Sequence, residues 1–105
     1  MICGAVRAEL QAHPTLDATQ IDTLLSKMGV EVDWTTGESI WRSAGQAHAD
    51  VTERRRRERN TGGRLPRRPL VDHLIGAHAS HRADRLLTRN VGDFSDFPDL
   101  QLLRC

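Results

Sequence analysis

Three acidic residues and their neighbours carry the chemistry this sequence could do. They are Glu9 in Ala8-Glu-Leu10, Asp72 in Leu70-Val-Asp-His-Leu-Ile-Gly-Ala-His-Ala79, and Asp93 in Thr88-Arg-Asn-Val-Gly-Asp-Phe94. Carboxylates gathered in one crevice repel each other, and a bound cation relieves that repulsion. Mg²⁺ and Mn²⁺ prefer oxygen ligands, take few from the protein and complete their shell with water. In open α/β sheets such a crevice lies at the carboxyl ends of parallel strands. Glu9 follows the first apolar segment and Asp93 a short apolar strand. Asp72 falls in the first turn of a helix, where the dipole favours an anion. The spacing allows all three to face one end of one sheet but does not require it.

Other polar groups point less clearly to chemistry. His73, His78 and His81 share a helix, but zinc would need further ligands, and the His-Glu-x-x-His pattern is absent. They read as structural or surface histidines. Ser39, Ser43, Ser80 and Ser95 sit in no nucleophile-elbow context. Cys3 and Cys105 lie at opposite ends without Cys-x-x-Cys spacing, so both are expected to be reduced thiols. Residues 54–68 hold eight Arg and one Glu. Arg54, Arg55, Arg56, Arg57 and Arg59 are therefore candidates for RNA phosphate contacts. A solvated helix end with arginines favoured by the dipole explains the same run equally well. With no Tyr and 4% aromatics, base stacking has little support.

A chain of 105 residues is expected to form one domain with one core. Its 38% hydrophobic and 28% charged residues mark a globular mixture. No apolar run approaches the roughly 20 residues of a membrane span, and the start lacks the pattern of a signal peptide. No membrane association and a bacterial cytoplasmic location are the expectations. Net charge is only +1, yet it is unevenly spread. Residues 1–53 carry three basic and eight acidic side chains, and residues 54–105 carry twelve and six. That split gives one region a positive field, although the preference for Arg is also what a GC-rich genome produces.

The elements that must position these groups follow from periodicity. Residues 5–13 read as a strand end turning into a short helix, closed by Pro14. Ile21, Leu24, Leu25 and Met28 predict a helix over 17–28, with Gly29 as its cap. Val30-Glu-Val-Asp-Trp34 alternates like a short strand. Thr35-Thr-Gly-Glu38 fits a capping box opening a long helix, with Ile40, Ala44, Ala47 and Val51 on its inner face. Residues 60–69 are expected to form a loop and 70–82 a helix. Strands follow at 85–89 and 100–103, separated by a loop or single turn over 93–98. Strands alternating with helices predict a parallel sheet covered on both faces. Trp34 and Trp41 are expected in the core or in a dimer interface.

The last third of the chain resembles the PIN-domain ribonucleases, the VapC-like toxins of VapBC-type toxin–antitoxin pairs. Asp72-His-Leu-Ile-Gly-Ala-His-Ala79 is similar to that family's Asp-x-x-Ile-Ala-Ala-x-Ala helix. Thr88-Arg-Asn-Val-Gly-Asp-Phe94 is similar to its Thr-Arg-Asn-x-x-Asp-Phe, and the tail to Leu103 fits as well. Ala8-Glu-Leu10 takes the place of the family's Ala-Glu-Leu element, so the match spans essentially the whole chain. The resemblance implies a PIN-like three-layer α/β sandwich over residues 1–105 and Mg²⁺- or Mn²⁺-dependent cleavage of RNA, tRNA among the candidates. In that chemistry, carboxylates hold the cation, which activates water and stabilises charge on the scissile phosphate. It implies Glu9, Asp72 and Asp93 as catalytic metal ligands, with Thr88 and Asn90 holding carboxylates and waters. It also implies a VapB-like antitoxin partner and a homodimer.

Two departures accompany the resemblance. Asn90 stands where many relatives carry Asp. The family also opens with a central strand ending in a metal-binding Asp, and nothing before Met1 supplies it. The chain is therefore expected to be an N-terminally incomplete PIN domain, with impaired nuclease activity and strand edges open to pairing or segment exchange. The alternatives are a catalytically inactive PIN remnant that only binds antitoxin or a sister toxin, and a plain Arg-rich nucleic-acid binder.

Overall fold

The computed structural model describes residues 1–62 and 69–105. Contacts divide the chain into two compact units, Met1–Thr36 and Gly37–Cys105.

In the N-terminal unit, strand β1 (Ile2–Cys3) runs directly into helix α1 (Gly4–Leu10). Helix α2 (Ala18–Lys27) follows, then strand β2 (Val32–Asp33). β1 and β2 pair in parallel, Ile2 opposite Val32 and Cys3 opposite Asp33. Buried Arg7 ties α1 to α2. Its Nε donates to Asp22 Oδ1 at 2.8 Å, Nη1 to Gln11 Oε1 at 3.1 Å and Nη2 to the Ala18 carbonyl at 3.4 Å. α2 opens on a full capping box: Asp17 Oδ1 accepts the Gln20 N–H at 2.8 Å, and Gln20 Oε1 accepts the Asp17 N–H at 2.9 Å. It ends at Gly29, whose φ of 70° is the left-handed conformation that ends a helix at little cost.

The C-terminal unit is built on helix α3 (Glu38–Asn60) packed against helix α4 (Leu70–Arg82). The expected inner face of α3 is the one buried: Ile40, Ala44, Ala47 and Val51. Ile40, Ala44 and Ala77 form the core, with Leu74 and Phe97 packed against it. Alanines at this crossing let the helices approach closely, so a small core still excludes water. Strands β3 (Arg85–Thr88) and β4 (Gln101–Arg104) pair in parallel, with a 3₁₀ turn over Val91–Phe94 between them. Leu86 faces Leu102 across the pair and both are half-buried, whereas Leu87 and Leu103 face away and are exposed.

The fold is thus mixed α/β, and its strands pair in parallel as predicted. Among the described residues the pairing forms two two-stranded sheets. The helix over 70–82 and the last strand agree with the sequence reading to within a residue. The capping box at Thr35 does not form. Asp33 Oδ1 instead accepts the Thr35 N–H at 3.0 Å and its hydroxyl at 2.8 Å, so Thr35 is held in a turn and α3 starts later, with Gly37 as its N-cap. Of the two places expected for Trp34 and Trp41, the core or a dimer interface, the core is excluded: they are 69% and 52% exposed. Of the loop expected over 60–69, residues 63–68 lie outside the described residues, Arg64, Arg67 and Arg68 among them. Cys3 and Cys105 are free thiols. Among the described residues no helix is long and apolar enough to cross a membrane.

Candidate functional site

The three carboxylates fall on three different elements. Glu9 occupies the last turn of α1 in the N-terminal unit, with its side chain exposed. Asp72 sits in the first turn of α4, half-buried, where the helix dipole favours an acidic group. Asp93 lies in the 3₁₀ turn, half-buried, and its N–H donates to the Asn90 carbonyl at 3.0 Å. Thr88 Oγ1 accepts the Asn90 N–H at 3.1 Å and so closes the turn as the chain leaves β3. The two residues expected to support the carboxylates therefore shape the loop that carries Asp93. α4 packs on both β3 and the 3₁₀ turn, which puts Asp72 and Asp93 on adjoining elements of one unit.

Beside them runs a polar chain with a buried centre. His73, the neighbour of Asp72, is wholly buried on the inner face of α4. Its Nδ1 meets His48 Nδ1 at 3.3 Å, the two rings edge to face with centroids 5.3 Å apart. Its Nε2 stands 3.6 Å from Asp96 Oδ2, and Arg54 Nη2 on α3 donates to Asp96 Oδ1. Facing a carboxylate, Nε2 carries a proton in the arrangement that serves both contacts, because a bare nitrogen would repel the anion. The Asp96 side chain is only 7% exposed, so it takes part in this chain rather than facing solvent.

Sequence reasoning singled out neither Asp96 nor this role for His73. For His73 a signal existed: it precedes buried Gly76 and Ala77 by three and four positions, on one helical face. For Asp96, set between two phenylalanines in a polar tail, there was none.

The arginine run proves heterogeneous. Arg54 is committed to Asp96, and Arg56 and Arg57 both reach Glu53, at 3.1 and 3.4 Å. Arg59 and the rest of the helix end are exposed. Ser43 Oγ and His81 Nε2, 2.8 Å apart, add a hydrogen bond between α3 and α4. Two shallow hollows of about 310 and 300 Å³ line α2, one by Asp22, Gly29 and Glu31, the other by Leu16, Leu24 and Lys27.

The donor set suits a hard divalent cation. Asp72 and Asp93 offer carboxylate oxygens, and Mg²⁺ is commonly held by one or two carboxylates with waters and substrate phosphate rather than by a protein cage. Among the described residues, no group of three or more His, Cys, Asp or Glu is placed to hold a metal ion.

No family model matches the chain, and no curated protein does. One solved structure does, described as VapBC-1 from nontypeable Haemophilus influenzae, with a TM-score of 0.65 and 23% identity. The likeness covers 97% of this chain and 71% of that one. At that identity it is a likeness of fold.

Proposed function

We propose that this chain is the nuclease half of a VapBC-type toxin–antitoxin pair, a PIN-like three-layer sandwich that cleaves RNA with Mg²⁺ or Mn²⁺. The observation that carries the reading is the placement of Asp72 and Asp93 on packed elements, in a fold like a VapBC-1 chain along nearly its whole length. The motifs around Asp72 and Asp93 support the toxin-like reading.

Asp72 and Asp93 hold the cation. Bound there, the cation supplies Lewis acidity at a phosphodiester and lowers the pKa of water. Thr88 sets the turn that presents Asp93. Arg55, Arg56, Arg57 and Arg59 meet RNA phosphates, with tRNA a candidate substrate. A VapB-like antitoxin and a second copy of the chain are the partners, and the cytoplasm is the compartment.

A second reading is a non-catalytic protein that binds antitoxin or a sister chain. The observation favouring it is the number of large apolar side chains left in solvent: Met28 is 65% exposed, Trp34 69%, Trp41 52% and Leu87 64%. A partner would cover such groups.

RNA cleavage by the purified chain decides between the two, measured with Mg²⁺ or Mn²⁺, with chelator, and for Asp72→Asn. Cutting that needs the metal and is lost in Asp72→Asn supports the nuclease. A folded chain that cuts nothing yet binds antitoxin supports the second reading.

A further inference from the structure

We infer that Asp96 is a positioning residue for the Asp72–Asp93 pair, an inference that rests on the metal-binding reading above. The turn after β3 is fastened to α4 at two neighbouring points. Asp96 faces His73 at 3.6 Å, and Phe97 lies over Gly76 so closely that a Cβ there would come 2.4 Å from its ring. Arg54 fastens the same turn to α3 through the other oxygen of Asp96.

These anchors stand close in sequence to the two carboxylates. His73 directly follows Asp72, and Asp96 comes three residues after Asp93. Holding residue 96 against residue 73 therefore limits where residue 93 can lie relative to residue 72. Both Asp96 oxygens face a cationic or N–H partner, so its carboxylate acts as a clamp between helices rather than as an open ligand. Arg54, on this geometry, works through Asp96.

Removing the clamp leaves Asp72 and Asp93 in place chemically but lets their separation drift, and cation affinity falls because less of the site is preorganised. The consequence appears in binding of the metal alone, with no RNA present. Mn²⁺ binding is measured by the loss of the free-ion paramagnetic resonance signal. The chains compared are wild type, Asp96→Asn, Arg54→Ala and Arg54→Lys, with Asp72→Asn as the reference for a lost ligand.

Asp96→Asn is expected to weaken Mn²⁺ binding about 10- to 100-fold, the usual effect of losing a residue that orients a ligand. Arg54→Ala weakens it in the same direction, and Arg54→Lys, which keeps the charge, restores most of the loss. Arg54 is half in solvent, so its variants remain folded even if Asp96→Asn does not. If Asp96 merely stabilises the fold, folded variants bind Mn²⁺ as wild type does while their denaturation midpoints drop, and the inference is overturned. A wild-type chain that binds no Mn²⁺ overturns it together with the metal-binding reading. Normal Mn²⁺ binding by wild type with undiminished binding by Asp96→Asn and Arg54→Ala overturns it alone.

Discussion

His73 Nε2 faces Asp96 Oδ2 at 3.6 Å, with the imidazole wholly buried between α3 and α4. A polar ring in that position is tolerated because both its nitrogens have polar groups to face, His48 on one side and Asp96 on the other. The first consequence concerns stability. His73→Ala leaves a cavity and strips Asp96 of one of its neighbours, and is expected to cost about 2–5 kcal/mol. His48→Ala removes an exposed ring and one hydrogen bond, and should cost about 1 kcal/mol. Urea denaturation monitored by circular dichroism checks this, and equal losses for the two variants would refute it.

Gly76 gives a case where two effects of one methyl oppose each other. In a helix interior Ala is better than Gly by about 1 kcal/mol. Here the added Cβ meets the Phe97 ring at 2.4 Å, and overpacking costs about 1–3 kcal/mol. Gly76→Ala is therefore expected to lower the denaturation midpoint, and the double variant Gly76→Ala, Phe97→Leu to recover part of it. A rise in the midpoint for the single variant would show that Phe97 moves aside freely.

The arginines at the end of α3 should not be equivalent toward RNA. Arg59 is exposed at the helix end, whereas Arg54 is held by Asp96. Without divalent metal, Arg59→Ala should weaken RNA binding regardless of sequence and reduce the slope of log affinity against log salt by about 0.7. Arg54→Ala should leave that slope unchanged. Equal slopes for wild type and both variants would mark this helix end as a solvated face without phosphate contacts.

Much of the secondary structure was legible because it rests on short-range physics. The spacing of Ile40, Ala44, Ala47 and Val51 marked the buried stripe of α3, and Gly29 marked the end of α2. Competition between local signals was harder to read. Thr35 and Glu38 match a capping box, but Asp33 lies two residues before Thr35 and takes its hydroxyl and N–H first. Asp17 and Gln20 carry the same kind of signal in a form that does close.

By itself the sequence determined which residues are helical, which stripe of α3 is apolar, and that acidic groups open α4 and follow β3. All of these depend on neighbours within about one turn or one pleat, so the chain specifies them before it folds. The tertiary structure decided which charges are spoken for. Arg54 and Asp96 are 42 residues apart and His48 and His73 are 25 apart. Nothing in their local spacing pairs them, because a charge selects its partner by distance and burial. Those are set only when α3, α4 and the turn after β3 pack together.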